Sequence, residues 1–177
     1  MRQTAVTIAV LVLCVGAISA QGPAAQNPIA AGQKFLHSMV KTNVIRSAEK
    51  MPEEHYAFKP TPEVRSFGQL IAHVADAQYA FCSPVLGKSN PAPGIEKSKT
   101  TKADLVQAVK DAFAYCDAAY DGLTDAQAAE LVKFFGGDQA KVTVLAFNTA
   151  HNNEHYGNIV TYLRMKGLVP PSSEPRK

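Results

Sequence analysis

The sequence predicts an all-α protein, a four-helix bundle. Three observations predict it. Four long stretches carry apolar residues at helical spacing. Capping residues, glycines and prolines mark where those stretches begin and end. No stretch shows convincing period-two alternation, so no strand is expected. The chain has 177 residues, 46% hydrophobic and 19% charged, which suits one packed domain rather than disorder. Its formal net charge of +3 is small and scattered. No nucleic-acid partner is expected from it.

The first twenty residues, MRQTAVTIAVLVLCVGAISA, read as a secretory signal peptide. Arg2 is an early cation, an apolar run follows from Ala5 to Val15, and small residues lead to cleavage after Ala20. The run is short for a membrane span, so the mature form is expected to carry none. An uncut anchor helix, or lipidation at Cys14, are the alternatives. A lipoprotein signal wants a small residue before the cysteine, and Leu13 stands there. The chain is therefore expected to be exported, periplasmic or secreted. Cys82 and Cys116 remain after cleavage, an even pair in an oxidising compartment. A Cys82–Cys116 disulfide is expected, with two buried thiols as the alternative.

Residues 21–27 read as a linker. Asn27 before Pro28 reads as a cap followed by proline at the first helical position. Leu36, Val40, Val44, Ala48 and Met51 then give helical spacing, so the first helix is expected over 28–51. The proline-bearing PEEHYAFKPTPEVR is a loop. Ser66 with Gln69 forms a capping box and opens a second helix over about 66–85. A polar loop, GKSNPAPGIEKSK, follows. Thr101 with Asp104 opens the third helix, and Asp121-Gly122 closes it. Residues 121–138 are ambiguous between a helical turn and an extended piece. The fourth helix is expected from Ala140 to Lys166, stopped by Gly167 and Pro170-Pro171. The bundle spans 28–171, and 172–177 is expected as a frayed, disordered tail.

Chemistry concentrates on the fourth helix, in HNNEHYG. At about 100° per residue, His151 and His155 lie about 40° apart on one face, one turn apart. Val144, Asn148, Asn158, Ile159 and Tyr162 share that face, so both histidines point into the bundle. On the second helix, His73 has Leu70, Ala77 and Ala80 as same-face neighbours, so it also points inward. Three neutral imidazoles from two helices make an open site for a divalent transition metal. Zinc, held at about 2.0–2.1 Å per nitrogen, keeps a fourth position for water. Nickel suits the set as well, and iron(II) or manganese also fit. A metal there lowers the pKa of bound water and polarises a substrate oxygen or sulfur. A lone buried histidine is more often a hydrogen-bonded core residue, and HxxxH occurs by chance on many helices. The case rests on the three together. His37 and His55 are read as non-ligands.

Glu154 completes H-x-x-E-H, a pattern in which the glutamate serves metallopeptidases as general base. That chemistry wants a downstream acidic ligand, and only Glu174 follows His155. Glu154 lies about 60° from His151 and is the candidate catalytic base. It could equally pair with Arg164 or Arg65, or orient an imidazole. Tyr156 and Tyr162 are candidate donors to a developing charge.

Two stretches carry a family resemblance: EVRSFGQLIAHVADAQYAFCS and NTAHNNEHYGNIVTYLRMKGLVPP. They resemble the DinB-like superfamily of damage-inducible four-helix bundles, over roughly residues 28–171. The H…HxxxH spacing and the EHYG…YLRxKGxxPP ending are the specific parts. The resemblance implies a metal bound by one histidine of the second helix and two of the fourth, here His73, His151 and His155. It also implies dimers in many members, and, in some relatives, transferase or isomerase activity that depends on a low-molecular-weight thiol. The export signal sets this chain apart from that cytosolic pattern, and no basic pocket for an acidic thiol cofactor is visible. The expected function is a metal-dependent hydrolase or transferase acting on a small molecule. The alternative is a non-catalytic, metal-stabilised binding module.

Overall fold

The computed structural model describes residues 27–175. The expected signal peptide and residues 21–26 of the linker lie outside them. Four long helices form the bundle: α1 (Pro28–Lys50), α2 (Phe67–Leu86), α4 (Lys102–Asp121) and α6 (Lys141–Met165). Between them sit a one-turn helix α3 (Ile95–Ser98), a second short turn α5 (Asp125–Ala128), and two strands, β1 (Leu131–Phe134) and β2 (Gly137–Ala140). Short 3-10 turns occur at Glu53–His55 and Pro171–Ser173.

The caps explain the boundaries. Ser66 accepts from the Gln69 amide while the Gln69 side chain accepts from the Ser66 amide, a full capping box on α2. Thr101 accepts from the Asp104 amide at the start of α4. Gly167, at φ 72°, takes the left-handed turn that ends α6. Asn27 departs from expectation. It does not cap α1, and its side-chain oxygen accepts from the Asp125 amide instead. Asp125 in turn accepts from the Ile29 and Ala30 amides, so a residue distant in sequence caps α1.

Around the bundle, α2 packs on α4 and α6, and α1 packs on α6 and α4. The consecutive helices α1 and α2 therefore stand at diagonal corners. Val44, Ala48, Phe67, Ile71, Val74, Val109, Phe113, Ile159 and Leu163 form the main core. A second cluster around Phe81, Val85, Ala119, Val144 and Leu145 fills the other end. There Cys82 and Cys116 form the expected disulfide, with Cα atoms 5.3 Å apart. On α1, Leu36 faces outward and His37 takes the buried face. No helix of the described residues is long and apolar enough to cross a membrane.

Two stretches differ from the sequence reading. Residues 121–138, ambiguous in sequence between a helical turn and an extended piece, give both: the turn α5, then an antiparallel hairpin over 131–140, Leu131 opposite Ala140 and Phe134 opposite Gly137, although no strand alternation marked it. Phe135 and Gly136 both have positive φ, 48° and 80°, the geometry of a tight two-residue hairpin turn. The expected frayed tail is tied down as far as residue 175. Glu174 pairs with Arg46 and Lys50 of α1, and Tyr156 donates its hydroxyl to Ser172 at 2.7 Å.

Candidate metal centre

His73 projects from α2, and His151 and His155 project from consecutive turns of α6. The packing of α2 on α6 brings the three rings together. The Nε2 atoms of His73 and His151 are 3.2 Å apart, and those of His155 and His151 are 3.0 Å apart. One ligand atom from each ring lies within 4.8 Å of the others. A tetrahedral ion with bonds of about 2.0–2.1 Å sets neighbouring nitrogens about 3.3 Å apart. The donor set fits such an ion. Three ring nitrogens converge, and neutral imidazoles cannot all satisfy one another by hydrogen bonding. Among the described residues, the buried Nδ1 atoms of His151 and His155 have no hydrogen-bond partner. A cation would accept all three lone pairs at once. Among the described residues the group stops at three, and it could hold a metal ion.

The remaining nitrogen of His73 has a partner that the sequence did not reveal. His73 Nδ1 lies 3.4 Å from Glu96 Oε2. A carboxylate there favours the proton on Nδ1, which leaves Nε2 as the free lone pair. Glu96 stands on the single turn α3, and Asp76 holds that turn. Asp76 sits one turn beyond His73 on α2 and accepts from the amides of Gly94, Ile95 and Glu96 at 2.8–2.9 Å. Arg65 donates to the other Glu96 oxygen at 2.9 Å. Nothing in GKSNPAPGIEKSK marks Glu96 as special, because its place depends on a cap supplied from another helix.

The other expected residues divide. Glu154 is exposed, lines a cleft of about 680 Å³ next to His155, and makes no ion pair among the described residues. The pairing with Arg65 or Arg164 is not made, since Arg65 turns to Glu96 and Arg164 donates to Ser173. Arg65, Glu96, Asn158 and Tyr162 line the same cleft. Tyr162 spends its proton on the Arg65 carbonyl at 2.6 Å, and Tyr156 spends its proton on Ser172. Neither hydroxyl is a free donor. Asn148 lies deeper, in a buried amide network with Gln78, Asn152 and Tyr120. His37 stacks on Tyr120 and bonds to Asp117, on α1 and away from the three-histidine group. His55 sits on the turn Glu53–His55.

Burial favours the neutral form of all three imidazoles. It pushes His151 down to about 4, and the nearby rings of His155 and His73 add to the effect. Burial also lowers His73, aided by Arg65 and opposed by Glu96. His155 is lowered by burial and then by His73. In the unfolded chain these groups regain an ordinary value of about 6.5. Below that value the unfolded state binds more protons than the folded one, so stability falls as pH falls. The metal-free protein should therefore show a Tm that declines from pH 7 to pH 4. Replacing all three histidines with glutamine should flatten the decline. Identical pH profiles for the two proteins would show that the histidines are not held neutral by the fold.

The DinB superfamily's sequence profile matches residues 39–159, well over half of the chain. The chain belongs to the DinB superfamily. Within that superfamily it is 28% identical to an uncharacterized Bacillus subtilis (strain 168) protein, YjoA, over 136 residues, 75% of this chain and 86% of YjoA. Solved structures carry the same bundle. A DinB-like protein of Bacillus cereus ATCC 10987 superposes with TM-score 0.71 at 17% identity, covering 80% of this chain and 95% of that one. The Bacillus subtilis YjoA structure gives TM-score 0.67 at 22% identity, covering 82% and 99%. The mycothiol-dependent maleylpyruvate isomerase gives 0.61 at 16% identity, covering 73% of this chain and 60% of its own. At these identities the structural likeness speaks for the fold. In this DinB bundle, His73, on α2, and His151 and His155, on α6, all fall inside the matched span.

Proposed function

We propose that this exported DinB-superfamily protein binds one divalent transition metal ion through His73, His151 and His155. It would use the ion in hydrolysis or group transfer on a small molecule. The observation that carries the reading is the convergence of three imidazole nitrogens from two helices. Zinc and nickel suit the set best, and iron(II) or manganese also fit. Such an ion would supply Lewis acidity to an oxygen or sulfur ligand.

The chain's own groups have distinct tasks. Glu96 orients the His73 ring. A set of three leaves a position open to an outside ligand, which favours a reactive site over a purely structural one. Glu154 borders the cleft beside His155, with no ion pair among the described residues, and is placed to take a proton from a bound substrate. Arg65, at the cleft wall, offers a cation to an acidic group. Export is supported by the leader-like layout of residues 1–20 and by the paired Cys82 and Cys116, which suit an oxidising compartment. Mycothiol dependence is a property of the isomerase. Outside the cytosol a thiol cofactor would be scarce, so water or a substrate's own thiol is the expected nucleophile.

Elemental analysis of untagged, exported protein tests the metal. About one equivalent of a transition metal per chain is expected. No metal, even after reconstitution with zinc, nickel, iron(II) and manganese, would end this reading.

A further inference from the structure

The three-histidine group borders a second surface that the polar cleft does not include. Phe81 of α2, Phe134 and Phe135 of the hairpin, and Phe147 of α6 form one aromatic cluster. Their ring centroids lie 4.2–6.1 Å apart. The cluster reaches the centre itself. Phe81 meets the His151 ring edge to face at 5.2 Å, and Phe147 stacks beside it at 6.4 Å. None of these four rings lines the cleft of Arg65, Glu96 and Glu154. His155 belongs to the polar cleft and His151 to the aromatic wall, so the three-histidine group joins the two.

The hairpin gives up stability to present this wall. Phe135 is a non-glycine residue at φ 48°, in a turn that asparagine or aspartate would suit better. Such a conformation costs on the order of 1 kcal/mol or more and persists when the surroundings enforce it. The ring gains no burial in return, for Phe135 is 76% exposed and Phe147 is 40% exposed. Taking each phenylalanine as about 200 Å², these two rings expose roughly 230 Å². A stable protein interface needs about 800 Å² per partner. The patch has the size of one small flat ligand.

We propose that this wall binds the apolar, planar part of the substrate, an aromatic or conjugated group, while a donor atom on the same molecule reaches the three-histidine group. A ring packed on Phe147 at ordinary aromatic distances of about 4.5–7 Å lies beside His151. The inference rests on the metal reading above and names the substrate class for that site.

Two hydroxamates separate the ring from the metal-seeking group. Benzohydroxamate and acetohydroxamate carry the same chelating group, and only the first carries a ring. On zinc-loaded full-length mature protein, calorimetry should show benzohydroxamate binding about tenfold more tightly or better. Phe135→Asn suits the turn and should fold at least as well. Phe147→Leu keeps an apolar side chain. Both should shrink the preference to within about threefold, with acetohydroxamate affinity and zinc content unchanged. Equal affinities in the unaltered protein, or a preference untouched in both variants, overturn the proposal. So does a Phe135→Asn variant that changes only from dimer to monomer, which would assign the wall to a second copy. Should the protein take up no zinc, the metal reading fails by itself. Benzyl alcohol on metal-free protein then decides. NMR contacts from its ring to Phe135 and Phe147 support the wall, and their absence overturns it.

Discussion

His155→Ala should strip the protein of bound transition metal, lowering affinity by more than about 100-fold, because changes in the outer partners of ligands alone cost about 10–100-fold. The three nitrogens share one position, and two imidazoles cannot complete a tetrahedral set without recruiting more water. His151→Ala and His73→Ala should behave alike. Glu96→Gln should fall between, retaining metal with affinity reduced about 10–100-fold, since only the orientation of His73 and the basicity of its ring are altered. His55→Ala, on a turn apart from the group, should retain metal fully. Metal content after dialysis against a graded chelator measures the series. Full retention in His155→Ala would remove the three-histidine assignment. Full retention in Glu96→Gln would leave the assignment standing and remove Glu96's role. Because the group lies between α2 and α6 rather than at the bundle's core, the metal-free variants should keep their helical content. Loss of fold in His155→Ala would instead favour the reading of a metal-stabilised module.

Breaking the Cys82–Cys116 disulfide should cost about 4 kcal/mol of stability. The bond closes a loop with a sequence separation of 34, and the loop-entropy relation gives about that value for such a length. The enclosed segment includes the end of α2, the turn α3 that carries Glu96, and most of α4. Both cysteines are fully buried between α2 and α4, so paired alanines would also leave a small cavity. Urea unfolding with and without reductant, and of Cys82→Ala/Cys116→Ala, measures the effect. An unchanged midpoint on reduction would show that the bond contributes nothing. A midpoint near zero urea in reductant would tie the protein's folding to an oxidising compartment.

Much of the fold was legible because its signals are local. Ser66 with Gln69, Thr101 with Asp104, and Gly167 mark boundaries within a residue of those observed. That His151 and His155 share one face of their helix followed from helical spacing. What escaped was set by distant partners. Glu96 reaches His73 only because Asp76 holds the turn α3 in place. Asn27 looked like a cap, yet Asp125 takes that task from across the chain. The hairpin was hidden by its turn, where Phe135-Gly136 replaces the Asn-Gly that would have announced it. The tail looked loose until Arg46 and Lys50 supplied charges for Glu174.

The diagonal placement of α1 and α2 has a consequence for the order of assembly. α1 is made first but finds its main partner in α6, which is made last. Translation at about 5–20 residues per second leaves roughly 6–23 s between completion of Lys50 and completion of Met165. For the later part of that interval α1 has α4 to lean on but still lacks α6, its largest neighbour. The α2–α4 pair can form early, from neighbours in sequence, and its disulfide can lock it. The ring of four closes only when α6 arrives, and Glu174 then pairs with Arg46 and Lys50 of α1. A nascent bundle kept open until α6 is made remains threadable while its first three long helices are synthesised.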